Sequence, residues 1–354
     1  MAEIIELPGL IDMHVHLRDP WQLQKEDFYT GTSAALAGGF TTVFDMPNNE
    51  KHIISEELLD RKITSAKSKI VCDLGFYFSA LSSQTIAEFE KVKEKAAGLK
   101  LFITTTTNMD NLRALNDKKE LVRVFDAWRV DKPILLHAED DAVELGLYAA
   151  RQTKRRTHFC HISSRQELEP ILKAKAEGLP VTCGVTPHHL FLTIKDKEKL
   201  GRLGVVKPNL KPKSDQDFLW ENLDAIDAVE SDHAPHTKEE KLAKPTIGIP
   251  GVETLLPLML TAEQKGRITT KMLIDKLYTK PAEILGIKPD KNTKIEVEMS
   301  EYQINEKDLK TKCAWSPYDG WKVIGKVKKV YLRGNLVFEN GKILAEPGSG
   351  KIIS

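Results

Sequence analysis

Gly9-Leu10-Ile11-Asp12-Met13-His14-Val15-His16-Leu17-Arg18-Asp19-Pro20 begins with an apolar, β-branched run that predicts a buried strand. Side chains two apart on a strand share a face, so His14 and His16 project together. Neutral imidazole is a good zinc ligand, and a stiff strand end can hold two of them at one ion. Alone, the pair reads more readily as two solvated surface histidines. What changes that reading is that runs of the same kind recur along the chain.

Eight such runs occur: Gly9 to Leu17, Thr41 to Pro47, Val71 to Ala80, Gly98 to Ile103, Pro133 to Glu139, Thr157 to Ser164, Val181 to Pro187 and Ala225 to Pro235. Stretches of helical periodicity separate them, among them Lys25 to Leu36, Glu56 to Ala66, Ile86 to Ala96, Leu112 to Trp128 and Gln166 to Ala176. Near-continuous apolar strands alternating with helices imply a parallel sheet covered on its outside. Eight repeats predict an α/β fold of the closed (β/α)₈ TIM-barrel type. Gly251 to Gln264 and Thr270 to Lys280 continue as helices. The tail then alternates as strands at Ile295 to Glu298, Lys326 to Leu332 and Leu336 to Phe338, with turns at Arg333-Gly334-Asn335 and Asn340-Gly341. The expected organisation is a barrel over 9–287 beside a small β-rich domain made of 1–8 with 288–354.

The 354 residues suit one large domain with an appendage. The 52 Lys+Arg against 51 Asp+Glu leave almost no net charge, which argues against nucleic acid or an anionic membrane as partner and for a small molecule. Four scattered cysteines, Cys72, Cys160, Cys183 and Cys313, form neither a disulfide framework nor a CxxC knuckle, as expected in a reducing cytoplasm. No signal-like segment and no run of 18 apolar residues is present, so a soluble, cytoplasmic protein is expected.

In a parallel barrel the site lies at the C-terminal strand ends. Those ends carry His14, His16 and Arg18, then Asn48, then His137, His161 and Asp232 with His236 just beyond, while Lys100 lies within the fourth strand. Each has a plainer reading. His137 and His161 could be hydrogen-bonded core histidines, Asn48 a turn residue after Pro47, and Cys160 a small buried filler. Lys100, between Leu99 and Leu101, must snorkel outward or have a function, and a buried Asp232 needs hydrogen bonds or a metal.

The combination of Asp12-Met13-His14-Val15-His16-Leu17-Arg18-Asp19-Pro20 with Ser231-Asp232-His233-Ala234-Pro235-His236 and Lys241 resembles the two signatures of dihydroorotases, in the amidohydrolase superfamily. The likeness runs through Met46-Pro47-Asn48, Gly98-Leu99-Lys100, His137-Ala138-Glu139, Cys160-His161, Thr186 to Leu192 and Pro250 to Thr254. It is most similar in detail to the dihydroorotase domain of the animal multifunctional pyrimidine enzyme. The resemblance implies reversible hydrolysis of the cyclic amide of L-dihydroorotate to N-carbamoyl-L-aspartate at a binuclear zinc centre. His14, His16 and Asp232 would ligate one zinc and His137 and His161 the second, with a hydroxide and a carboxylated Lys100 bridging them. Asp232 would also serve as general base and then acid. Arg18, Asn48 and His236 would bind the substrate carboxylate, Lys207 would stand on the substrate side, and Thr106, in the Thr104 to Thr107 run, falls where the family's active-site loop lies. Association with aspartate transcarbamoylase and a homodimer are the candidate assemblies.

Three departures from the family pattern stand out. Gly184 replaces an acidic residue that can help bind a further metal, so two metals and an unligated Cys160 are expected. Glu230 replaces a small residue, and the N-terminal part of the small domain is very short. Two rival readings are a relative acting on hydantoin, dihydropyrimidine or allantoin rings, for which a carboxylate clamp would be idle, and an inactive homologue, which would be expected to have lost ligands this chain keeps.

Overall fold

The computed structural model describes residues 2–106 and 114–354. Fourteen strands are found among them. They are β1 (Ile4–Pro8), β2 (Leu10–Val15), β3 (Phe40–Asp45), β4 (Asp73–Ser79), β5 (Gly98–Phe102), β6 (Ile134–His137), β7 (Thr157–Phe159), β8 (Val181–Val185), β9 (Ala228–Val229), β10 (Lys294–Gln303), β11 (Lys322–Leu332), β12 (Asn335–Glu339), β13 (Lys342–Ile343) and β14 (Ile352–Ile353). Strands β2 to β9 pair in sequence order, all parallel, and Val15 bridges His233 in parallel to bring the last strand back to the first. This is the barrel expected from the eight repeats.

Its strands are apolar because both faces are covered. Ile134, Leu135 and Leu136 of β6 are fully buried, as are Leu99 and Leu101 of β5, and each such side chain contributes about 1.5–3 kcal/mol by leaving water. Helices after the strands begin at the site end with short polar caps. Asp27 accepts from Thr30 N at the start of α1 (Phe28–Ala37), and Ser55 from Leu58 N at the start of α2 (Glu56–Lys67).

Where β9 meets β2 the ladder is short, and side chains complete the seam. The buried Asp12 carboxylate accepts from both His14 N and Ser231 N at 3.1 Å, and His16 N donates to His233 O at 2.7 Å. The rigidity of the metal-type histidines therefore comes from the closure itself.

The second sheet is antiparallel in the order β1-β10-β11-β12-β13. It packs on the barrel through helix Val252–Gln264. Gly325 has φ +97°, and a Cβ there would stand 2.3 Å from Leu260 Cδ1, so only glycine permits the approach. Between β10 and β11 the chain crosses toward the site end, where Lys310 N reaches Glu253 at 2.9 Å, Lys312 N reaches Glu26 at 3.0 Å, and Trp315 Nε1 donates to His236 O at 2.7 Å.

Two local expectations are corrected. The stretch Ile86 to Ala96 is not one helix but a 3-10 turn, Ser83–Glu88, followed by the single turn Phe89–Val92. Phe89 and Val92 anchor that turn, and Ala97 N already donates to Phe76 O at 2.8 Å, so the chain must be extended by then. The C-terminal Ile352–Ile353 leaves the small sheet and pairs in parallel with β4 of the barrel. Two residues are too short a run to show periodicity.

Candidate active site

A cleft opens at the C-terminal strand ends, lined by His14, His16, Arg18, Asn48, Lys100, Thr106, His137, His161, Lys207 and Asp232 among others. Ten of the residues singled out from sequence thus meet in one place. His236 is the exception. It lies behind Arg18, with Nε2 3.3 Å from the Arg18 guanidinium and Nδ1 within 3.2 Å of both Lys25 and Glu240. Thr107 lies outside the described residues.

Three of these residues adopt left-handed backbone, Arg18 at φ 66°, His161 at 41° and Asp232 at 46°. Such conformations cost about 1–3 kcal/mol each and persist where surrounding contacts impose them. At His161 the contact is Glu230, whose Oε1 accepts from His161 N at 2.5 Å.

Asp232 Oδ1 lies 3.1 Å from His16 Nε2 and 3.4 Å from His14 Nε2. Across the cleft His137 Nδ1 and His161 Nε2 are 3.0 Å apart, and the His14 and His161 rings are 5.0 Å apart, centroid to centroid. Lys100, on β5, points its Nζ to Cys160 Sγ at 3.1 Å.

Burial sets the protonation of this cluster. It holds His14 down to about 4, with the Lys100 charge adding to the effect. His16 and His161 are held well below the ordinary imidazole range, and His137 is lowered too, again chiefly by burial. All four rings are therefore neutral at pH 7, the state in which imidazole binds a metal. Burial raises the Asp232 carboxyl from its ordinary value and pushes the Cys160 thiol up to about 12. A thiol held so firmly is a poor ligand.

The donor set fits a divalent ion of the zinc type. The ligand atoms of His14, His16 and Asp232 lie within 4.8 Å of one another, two neutral nitrogens and one carboxylate oxygen on rigid strand ends. His161 Nδ1 is buried without a hydrogen-bond partner among the described residues. The donor atoms of His14, Cys160 and Glu230 make a second group within the same limit.

Glu230 has more than a packing part. A Cβ on Gly184 would stand 2.7 Å from the Glu230 carboxyl, so the glycine on β8 is the space this side chain fills. Its Oε2 lies 3.7 Å from His14 Nδ1 and 3.6 Å from His158 Nε2. The signal in sequence is the simultaneous change at 184 and 230, but nothing in sequence places the two side by side. Sequence reasoning likewise gives Glu139 no role. Its Oε1 lies 3.1 Å from His137 Nε2, 3.2 Å from Thr104 Oγ1 and 3.5 Å from Lys207 Nζ, so it ties a histidine of the cleft to the rim. Metal-binding histidines commonly meet such a carboxylate through one ring nitrogen.

Arg18 is 2% exposed yet lines the cleft, its Nε donating to Pro235 O at 3.2 Å. Burial lowers its pKa to about 10, which leaves the guanidinium charged at neutral pH. With Asn48 beside it in the lining, the cleft offers a fixed fork and an amide to an anion, next to a metal-type donor set.

Comparison with known proteins points the same way. Residues 5–296 match the amidohydrolase family. The chain is similar to the protein named "Multifunctional protein CAD" of Squalus acanthias, 41% identical over 99% of this chain but only 16% of that protein. It is 36% identical to the dihydroorotase of Pyrococcus abyssi, covering 99% of this chain and 87% of the other. Among solved structures, the L-hydantoinase (dihydropyrimidinase) from Arthrobacter aurescens superposes with a TM-score of 0.92 at 25% identity, over 98% of this chain and 88% of that one.

Proposed function

The chain belongs to the amidohydrolase family, and from that premise we propose that it is a dihydroorotase of pyrimidine synthesis, reversibly opening L-dihydroorotate to N-carbamoyl-L-aspartate. The observation that carries this reading is one cleft lined by both a metal-type donor set and the buried Arg18–Asn48 pair. We assign the cleft to a barrel spanning 9–287, with 1–8 and 288–354 as the small domain apart from Ile352–Ile353, which joins the barrel at β4. The 36% identity to an archaeal dihydroorotase supports the substrate. Association with aspartate transcarbamoylase in the cytoplasm belongs to the same proposal and is supported by the likeness to a multifunctional relative, of which the chain spans 16%. No helix of the described residues is long and apolar enough to cross a membrane.

His14, His16 and Asp232 would hold one zinc and His137 and His161 a second, with Lys100 between them as a carboxylated, anionic side chain. Carboxylation would turn a buried cation into a ligand. Bound there, the metals would supply Lewis-acid chemistry, lowering the pKa of a water toward neutrality and polarising a carbonyl. Asp232 would take the proton of the attacking water on its carboxylate and pass it to the ring nitrogen as the C–N bond breaks. Arg18 and Asn48 hold the substrate carboxylate, and His236 holds Arg18 from behind. Thr106 and Lys207 stand at the rim toward the substrate.

The testing experiment is ring opening of L-dihydroorotate by purified, zinc-loaded protein. Turnover is expected, to vanish on chelation and to return with zinc. Faster turnover of dihydrouracil, which lacks the carboxylate, would overturn the assignment in favour of a hydantoinase-type enzyme. Arg18→Ala separates the two further. Losing a charge-assisted pair is expected to raise KM for dihydroorotate about 10- to 100-fold with a smaller change in kcat. Unchanged kinetics would remove Arg18 from the carboxylate site.

A further inference from the structure

One fully buried cation has no part in the chemistry above. Lys62 lies on α2, outside the cleft, with its side chain entirely covered. Its Nζ donates to Met46 O and Asn49 Oδ1 and pairs with Asp45 Oδ2, each at 2.8 Å. Two hydrogen bonds and an ion pair thus engage the ammonium, and the residues that make them flank Asn48 on both sides. Three residues on, Ser65 Oγ donates to Asp19 Oδ1 at 2.6 Å, and Lys69, just past the helix, donates to Asp19 Oδ2 at 2.7 Å. Asp19 follows Arg18. Lys62 and Ser65, three apart, share one helical face, and Lys69 reaches back to Ser65 Oγ at 3.0 Å.

The same contacts join the two segments to each other. Asp45 Oδ1 accepts from Leu17 N, the residue before Arg18, at 2.8 Å, and Asn49 Nδ2 donates to Asp19 O at 3.4 Å. Arg18 is thereby held on both sides while its own backbone sits at φ 66°. A buried ammonium is costly and stabilises a fold no better than a well-packed hydrophobe of similar volume. A helix that only had to cover the barrel would carry an aliphatic residue at 62.

We propose that Lys62, Ser65 and Lys69 form a polar brace on the outer helix that fixes the spacing of Arg18 and Asn48, and so sets the affinity of the site for a substrate carboxylate. They are positioning residues, and none of them lines the cleft. The inference rests on the dihydroorotase reading.

The test compares zinc-loaded wild type with Lys62→Met and with the double variant Ser65→Ala/Lys69→Met. Two readouts are taken, steady-state kinetics on L-dihydroorotate and calorimetric binding of orotate, a flat ring that keeps the carboxylate. Misplacing a binding group by a fraction of an ångström is expected to raise KM and the orotate Kd about 10-fold, with kcat within about 3-fold of wild type. Arg18→Ala added to Lys62→Met is expected to cost less than it does alone, because the two act through one contact. Lys62→Met leaves Asp45 buried without its ion pair. Should it fail to fold, the double variant, which leaves that pair intact, carries the test. Folded variants with wild-type KM and orotate affinity, or with a loss confined to kcat, would overturn the brace alone, since wild-type turnover would still stand. A wild type that neither turns over dihydroorotate nor binds orotate would overturn the reading of the site, and the brace with it.

Discussion

Asp232→Asn is expected to lower kcat for dihydroorotate ring opening by about 10²- to 10⁴-fold, the range for losing a positioned proton carrier. Asparagine keeps the shape and one acceptor oxygen but cannot take up a proton at the pH of the reaction. It is also the substitution the backbone tolerates, because Asp232 sits at φ 46° and asparagine is enriched in left-handed conformations. The circular dichroism spectrum should therefore match wild type. Since Asp232 also contacts His14 and His16, zinc content must be measured alongside. Activity within ten-fold of wild type at full metal content would remove Asp232 from proton transfer.

Lys100→Met is expected to abolish turnover, by about 10³-fold or more, and to lower bound zinc below that of wild type. Methionine fills a similar volume without charge, so the fold should persist in a site where Lys100 is 1% exposed. The companion measurement is the intact mass under native conditions, in which wild type should carry the added mass of one CO₂ at Lys100. A Lys100→Met protein that keeps its zinc and its rate would show that this lysine bridges nothing.

Much of this site is legible in the amino-acid sequence because two short-range rules apply to it. Period-two strands put His14 and His16 on one face, and parallel barrels gather strand ends, which collects His137, His161 and Asp232 without any knowledge of contacts. What stays hidden depends on which side chains meet across the fold. Glu230 reads as a change in packing, and only the juxtaposition of β8 and β9 shows its carboxylate filling the place of a Gly184 side chain. His236 reads from sequence as part of the cleft, whereas the loop after β9 turns its ring behind Arg18. Lys62 carries no signal at all, since a lysine on an amphipathic helix normally faces water. The helix over Ile86 to Ala96 fails for the opposite reason, because its periodicity is genuine over one turn and the chain then turns off, with Lys95 N and Ala96 N donating back to Val92 O, ahead of β5 at Gly98.

The left-handed backbone at Arg18, His161 and Asp232 has a consequence for how such a protein can change over generations. Each position holds a residue chosen for its side chain in a conformation that glycine would adopt without penalty. A lineage that stopped using the cleft would be free to relax all three, gaining stability at each step while losing the side chains the chemistry needs. Selection for activity and selection for a firmer fold therefore pull these codons in opposite directions. An ancestor that lost the function would find the way back uphill.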